Sequence, residues 1–274
     1  MIMPADDPRE AIVSKNEERI RLSKSVPPAV SGGSPPDGTQ TWITGRAGME
    51  YRDLIPDRLD GRVIASHIRI TKGGDVPDYV HYHKIRFQMI YCKSGSIRVV
   101  YEDHGAPFVL ESGDCVLQPP EIRHRVLESS AGAEVIEVSS PAEHETWLEH
   151  EIELPTVDVN FDRDFSGQQF VRHVARDAKW TSTGSNSRVA ETAIETATRG
   201  FGGVRLQKID AHGTALVEPG DAFVFIYILS GAVLLDSKYP TLRPDDHIVI
   251  MDRSAPVLTA LEDSEILEVR LSEI

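Results

Sequence analysis

The sequence predicts an all-β protein that contains two copies of one domain. Short runs rich in Val, Ile, Tyr and Phe follow one another between turn residues, and the second half of the chain repeats the pattern of the first. A chain of 274 residues is long enough for one large domain or two ordinary ones. The repeat therefore decides in favour of two domains.

The first 40 residues precede the folded body. Residues 8–24 have a proline near their start and a thin apolar stripe among charged residues, which predicts a short, exposed helix. The next stretch is dense in Pro, Gly and Ser and predicts a linker or an arm over a neighbouring subunit. We therefore expect residues 1–40 to form an N-terminal arm with a short helix.

Residues 41–140 hold the first set of predicted strands. The runs RVIASHIRI, FQMIYC and SIRVVYE alternate with the turn segments KGGD, KSG and ESGD. Strands at this close spacing are typical of a β-sandwich or barrel. Residues 141–168 are polar and acidic with no sustained period, so they are expected to link this domain to the next.

Residues 169–274 repeat the scheme at a separation of about 130 residues. The run FVFIYILSGAVLL matches FQMIYCKSGSIRV feature by feature, and EILEVRL near the C-terminus matches EVIEVSS in the first half. Generic similarity between β-meanders is the alternative explanation. Because several consecutive features repeat in the same order, a second copy of the same domain is favoured.

Composition and charge exclude several kinds of partner. Asp and Glu number 43 against 29 Lys and Arg, a formal charge of -14 that repels phosphate backbones and anionic lipid. No helix-turn-helix pattern, basic patch, membrane-length apolar run or secretion signal is recognisable. Cys92 and Cys115 lie in apolar runs that suit buried free thiols. We expect a cytoplasmic protein that binds neither nucleic acid nor membrane.

Three histidines are the strongest candidates for chemistry. His81 and His83 stand two apart on a predicted strand, so both side chains face one side of it, at a spacing that suits two ligands of one metal ion. A pair of histidines also occurs on strands without metal. His124 ends the run GDCVLQPPEIRH, in which two strands flank a Pro-Pro turn, and imidazoles from separate strands of one barrel can meet in its mouth.

With these histidines the sequence resembles the cupin superfamily. The first cupin motif, HxH, an acid after four residues and Gly after six more, corresponds to His81, His83, Gln88 and Gly95. The second motif corresponds to Gly113, Pro119 and His124. The resemblance implies two tandem double-stranded β-helix, or jelly-roll, barrels, and one divalent transition metal ion held by the first.

The position usually filled by an acid is Gln88, and this departure leaves its role open. Three roles are open to the amide: coordination of the metal, orientation of a bound water, or a place in the pocket wall without contact to the metal. Three neutral imidazoles suit Fe(II), Mn, Ni, Cu or Zn, and spacing alone cannot choose among them. Fe(II) is favoured by resemblance, as described below.

The second copy lacks the motif residues. Aligned through the two Ser-Gly pairs, its HxH positions fall on Val217 and Pro219, Gln88 aligns with Val224, and His124 aligns with Pro256. His212 and His247 remain as isolated histidines, which are more often surface or core residues than ligands. We expect a degenerate cupin domain over residues 169–274.

A metal-binding first cupin, no acidic ligand and a degenerate second cupin are similar to the gentisate dioxygenase group. The resemblance implies a dioxygenase that acts on a small, oxygen-rich organic acid or ketone. Gln88 in the motif, and Arg98 and Arg123 beside the motifs, are the candidate catalytic residues. Either arginine would be a carboxylate clamp if it faces the barrel interior, and a solvated surface position is the alternative. A metal-dependent lyase or isomerase and a non-enzymatic small-molecule binder are the alternatives. Cupins commonly pair, so a homodimer is expected.

Overall fold

The architecture is that of a computed structural model. It describes residues 42–184, 186–217, 223–235, 240–251 and 256–274, together with the backbone of three strands before residue 24. The regular secondary structure of the described residues is almost all β-strand, which confirms the predicted fold class. None of the helices in these ranges is long and apolar enough to cross a membrane.

The chain divides into two compact units. Unit 1 comprises residues 1–114 and 118–166, and unit 2 comprises residues 115–117 and 167–274. The main boundary therefore falls at residues 166 and 167, inside the segment that the sequence predicts as a linker. Part of that segment, Glu145–Leu148, is a strand of unit 1.

The strands of the first half are short and antiparallel. They span Ile2–Met3 (β1), Glu10–Lys15 (β2), Glu18–Ser23 (β3), Ile43–Thr44 (β4), Glu50–Asp53 (β5), Ile64–Ile70 (β6), Gly74–Asp75 (β7), His81–Lys84 (β8), Phe87–Ser94 (β9), Ser96–Tyr101 (β10), Phe108–Glu111 (β11), Cys115–Leu117 (β12), His124–Ser129 (β13), Ala133–Ser140 (β14) and Glu145–Leu148 (β15). A 3-10 turn spans Arg46–Gly48 and a four-residue helix, α1, spans Arg58–Gly61.

Unit 1 is built from two sheets. One runs in the order β11, β10, β13, β8, β15, β1, β2, β3, and the other contains β9, β14, β6, β5 and β4 in that order. Alternate residues of both sheets line one cavity; on β6 these are Ile64, Ser66, Ile68 and Ile70. Because side chains alternate between the two faces of a strand, the apolar residues at every second position form the inner face of the barrel.

The prediction of a short N-terminal helix is wrong over the residues that the structure describes there. Residues Glu10–Lys15 and Glu18–Ser23 form two antiparallel strands, with Val13 opposite Ile20 and Ala11 opposite Leu22. The physical reason is the two-residue period from residue 18 to 23, where charged or polar residues alternate with Ile20 and Leu22. The predicted linker over residues 25–40 lies outside the described residues.

Unit 2 contains the remaining strands. They span Val171–His173 (β16), Thr181–Ser182 (β17), Ser187–Glu191 (β18), Gly202–Ile209 (β19), Thr214–Leu216 (β20), Phe223–Ser230 (β21), Val233–Leu234 (β22), His247–Ile250 (β23), Val257–Ala260 (β24) and Ser264–Leu271 (β25). A 3-10 turn spans Ala175–Asp177 and the helix α2 spans Ile194–Ala197.

The strands of unit 2 also form two sheets. The larger runs β17, β18, β19, β25, β21, β23, and the smaller runs β20, β24, β22. Separately, β12 pairs with β16. The core of this unit is aliphatic and includes Val217, Val224, Ile226 and Ile266. Val217 and Val224 are the positions that the repeat aligns with His81 and Gln88 of the first copy, so aliphatic packing occupies them here.

Candidate metal centre

The structure brings the three predicted histidines together. His81 and His83 lie on β8, and His124 begins β13, where it is the direct partner of His81. The ring centroids are 4.2 to 5.3 Å apart, and one nitrogen from each ring lies within 4.8 Å of the other two. Among the described residues this is the one group of three or more His, Cys, Asp or Glu with such geometry.

Hydrogen bonds on the far side of each ring orient the imidazoles. Nδ1 of His81 lies 2.8 Å from the carbonyl oxygen of Tyr79, and Nδ1 of His124 lies 3.0 Å from that of Ile122. A carbonyl only accepts, so both Nδ1 atoms must donate, which leaves the Nε2 lone pairs free. Nδ1 of His83 is 2.8 Å from the hydroxyl of Thr146.

An ion pair lies behind His81. A guanidinium nitrogen of Arg46 donates to Asp78 at 2.6 Å and lies 3.1 Å from Nδ1 of His81. The carbonyl of Tyr79 can only accept and is the nearer partner of Nδ1 of His81, so that nitrogen is assigned the hydrogen. The other oxygen of Asp78 accepts from the backbone of Val126, on the strand that carries His124.

The imidazoles are buried and held neutral. Burial lowers the pKa of His81 and His83 well below the usual value, with the charge of Arg46 as the second cause at His81 and that of His124 at His83. Burial likewise lowers the pKa of His124 to about 3. A neutral imidazole is the form that binds metal.

The residues present fit a divalent metal ion. Nε2 of His81 is buried and has no hydrogen-bond partner. An orphaned buried nitrogen is costly unless a ligand satisfies it, and two further neutral imidazoles lie beside it. The first barrel therefore contains a three-histidine metal site, and the identity of the metal is open.

A cavity of about 100 Å³ adjoins the histidines. Its wall is mainly apolar, with Met49, Ile68, Ile90, Val99 and Leu110 among the lining residues. The polar side of the wall includes His83, His124, His144, Gln88, Gln118, Glu137 and Arg46.

Gln88 lies in the wall of this cavity together with His83 and His124, the residues with which the sequence predicts that it acts. Its side chain is 4% exposed and its Nε2 donates to Glu137 at 2.7 Å. A role as metal ligand or water-orienting group stays a prediction.

The predicted arginines do not line the described cavity. On β10, Ile97, Val99 and Tyr101 face inward, so the alternation turns Arg98 outward, where it pairs with Glu128. Arg123 pairs with Glu149 and stacks over Tyr82, which faces away from the histidines. Of the two placements considered from the sequence, the structure thus has both arginines outside the cavity wall, and not where they would clamp a carboxylate beside the metal.

Other charged residues at the site were missed from the sequence. Arg46 and Glu137 line the cavity, and Asp78 is buried against Arg46. No motif marks them, because each reaches the site from a different strand or turn. The one available signal was the period of β14, which places Glu137 on the same face as Val135.

The comparison with known families identifies the first barrel. Residues 66–139 match the family described as "Cupin domain". That segment is a cupin domain. It contains His81, His83, Gln88 and His124, the residues on which the resemblance rested. No curated protein sequence matches the chain significantly.

Solved structures extend the likeness over both units. Oxalate decarboxylase from Lactobacillus farciminis, in a formate complex, has a TM-score of 0.64 at 15% identity over 91% of this chain and 90% of that one. Bacillus subtilis oxalate decarboxylase at pH 4.6 gives 0.61 at 13% identity, over 96% and 86% of the two chains. Salicylate 1,2-dioxygenase from Pseudaminobacter salicylatoxidans gives 0.58 at 12%, over 77% and 71%. The chain has the bicupin fold, as the repeat predicts.

Proposed function

We propose that the protein is a metal-dependent dioxygenase of the Fe(II) type, acting on a small, oxygen-rich organic acid or ketone. The observation that carries the proposal is the all-imidazole ligand set of His81, His83 and His124. Three neutral ligands contribute no negative charge of their own to balance the double positive charge of the ion in a buried site. An anionic, chelating substrate would compensate that charge, so the site favours an organic acid.

The cavity favours a compact aliphatic substrate. A cavity of about 150 Å³ is the size that holds benzene in an apolar protein interior. The space beside the histidines is about 100 Å³, which is smaller than that. We therefore expect a short aliphatic acid or diketone to be accepted in preference to an aromatic acid.

The residues of this site would bind the metal, orient the imidazoles and enclose the substrate. The hydrogen bonds to Tyr79, Ile122 and Thr146 keep the imidazoles directed at one point. When bound, the metal would supply neighbouring positions for a chelating substrate and O2. The apolar wall, with Ile68 and Ile90, excludes water from that point.

A metal-dependent lyase is the second candidate. It is supported by the two solved oxalate decarboxylases, which resemble more of this chain than the salicylate dioxygenase does. In that case the metal would act as a Lewis acid and no O2 would be consumed.

One experiment separates the candidates. Protein purified without chelators and loaded with Fe(II) or Mn(II) is offered short 2-oxo acids, oxalate and 1,3-diketones, with hydroxylated benzoic acids for comparison. Oxygen uptake is followed by electrode, and product formation is followed with and without O2. The proposal predicts metal- and O2-dependent turnover of an aliphatic compound, absent in His83→Ala. Turnover without O2 would support the lyase, and failure to retain any metal would refute both.

A further inference from the structure

A buried amide and a carboxylate form a pair beside the histidines. Nε2 of Gln88 donates to Oε1 of Glu137 at 2.7 Å, across neighbouring strands β9 and β14. The hydroxyl of Ser139 donates to the same oxygen at 2.9 Å. Gln88 and Glu137 both line the cavity that His83 and His124 line.

The chemistry of the pair fixes which end of the amide is engaged. An ionised carboxylate only accepts hydrogen bonds, so the NH2 group of Gln88 must face Glu137. The amide oxygen of Gln88 receives no hydrogen bond from the described residues. An oxygen left without a protein donor in the wall of a metal cavity is available to a ligand.

The internal repeat supports a special role for Glu137. Glu268 occupies the same place in EILEVRL that Glu137 occupies in EVIEVSS. Glu268 pairs with Arg205 at 2.9 Å and accepts from Gln207 at 2.6 Å. In the first barrel Ser66 stands opposite Glu137 where Arg205 stands opposite Glu268.

Glu137 therefore lacks the counter-charge that Glu268 has. No ion pair joins it to a cation among the described residues, and its hydrogen-bond donors are the two neutral groups of Gln88 and Ser139. One of these two donors, Gln88, is the residue at which the sequence departs from the cupin motif.

We propose that Glu137 is a positioning residue for Gln88. It holds the amide so that the oxygen, and not the NH2 group, faces the metal position as a neutral fourth donor. The pair of Gln88 and Glu137 thereby replaces the single acid that usually stands at the first of these positions. This inference rests on the metal-binding part of the proposed function and is independent of the reaction catalysed.

A double-mutant cycle with Co(II) alone as the probe tests the proposal. Glu137→Leu should weaken Co(II) binding by about 10- to 100-fold, the usual effect of losing a group that orients a ligand. In a Gln88→Ala background the same substitution should have almost no further effect. An equal loss in both backgrounds would show that Glu137 does not act through Gln88 and would overturn the proposal.

Two further variants serve as controls. Glu137→Gln retains an oxygen that can accept from Gln88, so it should keep most of the Co(II) affinity and the visible absorption spectrum of the wild-type complex. Ser139→Ala leaves the contact between Gln88 and Glu137 in place and should bind almost as tightly as the wild type. If Glu137→Gln lost as much affinity as Glu137→Leu, the positioning role would be refuted.

A measurement on the unsubstituted protein guards against misfolded variants. The side-chain amide of Gln88 should give a downfield-shifted, exchange-protected NMR signal that Gln88→Ala removes, whereas the signal of the Gln207 amide, which donates to Glu268, should stay. Absence of the Gln88 signal would count against the proposal. If the wild-type protein bound no Co(II), the proposed function would fail; if it bound Co(II) equally well with Leu at position 137, only this inference would fail.

Discussion

The two barrels use the same glutamate position in opposite ways. In unit 2, Glu268 is 0% exposed and is neutralised by Arg205, which is 4% exposed. In unit 1, Glu137 contacts neutral donors and faces a cavity beside three histidines. A charge that is paired inside a core contributes to structure, whereas a charge without a counter-ion at a cavity remains available to a ligand.

Other interior positions differ between the two units in the same way. Val217 and Val224 pack in the core of unit 2, while the positions that align with them in unit 1 are His81 and Gln88. Aliphatic side chains at these positions gain stability by burial. In the first barrel, polar groups that need a ligand stand at these positions and forgo this stabilisation. This difference indicates that metal binding resides in unit 1.

The largest expected effect is loss of metal from unit 1. Removal of an imidazole by His83→Ala should lower metal affinity by more than the roughly 100-fold that loss of an orienting group costs. Elemental analysis after purification without chelators measures it. His247→Ala, in unit 2, is the control and should leave the metal content unchanged; a matching loss there would break the comparison.

The buried charge of unit 2 should have the next largest effect. Glu268→Leu leaves Arg205 buried without its carboxylate and should lower the free energy of unfolding by about 3–5 kcal/mol. Urea unfolding followed by fluorescence measures the change. The double variant Arg205→Met, Glu268→Leu should recover much of the stability. Glu137→Leu should lower the free energy of unfolding by less than Glu268→Leu does, since it removes no partner from an ion-paired cation.

Substitution of the glycines at equivalent turns should have a smaller effect on stability, and of similar size in both units. Gly95 and Gly231 have φ of +73° and +83°, and a Cβ at either would collide with a serine hydroxyl, of Ser130 or Ser264. Replacement by Ala should cost about 1–3 kcal/mol at each. Gly132, with φ of +72° and open space around it, isolates the backbone contribution and should be the least affected in thermal unfolding.

The smallest effect concerns Cys92. Burial, aided by the charges of Asp114 and Glu111, raises the pKa of this thiol from 9.0 to about 12. The unfolded chain therefore loses its thiol proton first, and stability falls as the pH rises from about 9 towards 12. By pH 10 the loss should be on the order of 1 kcal/mol. Comparing the pH dependence of unfolding with that of Cys92→Ala measures it, and identical slopes would contradict the prediction.

Most of the fold and the centre of the site could be predicted from the sequence. The two-residue period of strands and the repeated segments predicted two β-domains, and the spacing of His81 and His83 predicted that both face one side of a strand. A local rule suffices for that pair, because residues two apart on a strand share a face. That His124 joins them was implied by the resemblance to the cupin motifs. The N-terminal helix was wrong because a short charged segment fits both periods, and only pairing with a neighbour selects the strand.

The sequence by itself determined which barrel has metal ligands and which has lost them, since residue identity at the motif positions decides that. The tertiary structure decided what surrounds the ligands: Gln88 and Glu137 are 49 positions apart, and Arg46 and His81 are 35 apart. Such contacts depend on strand register and on which face each strand turns inward. Register is fixed by the packing of the whole barrel, so it cannot be read from any one segment.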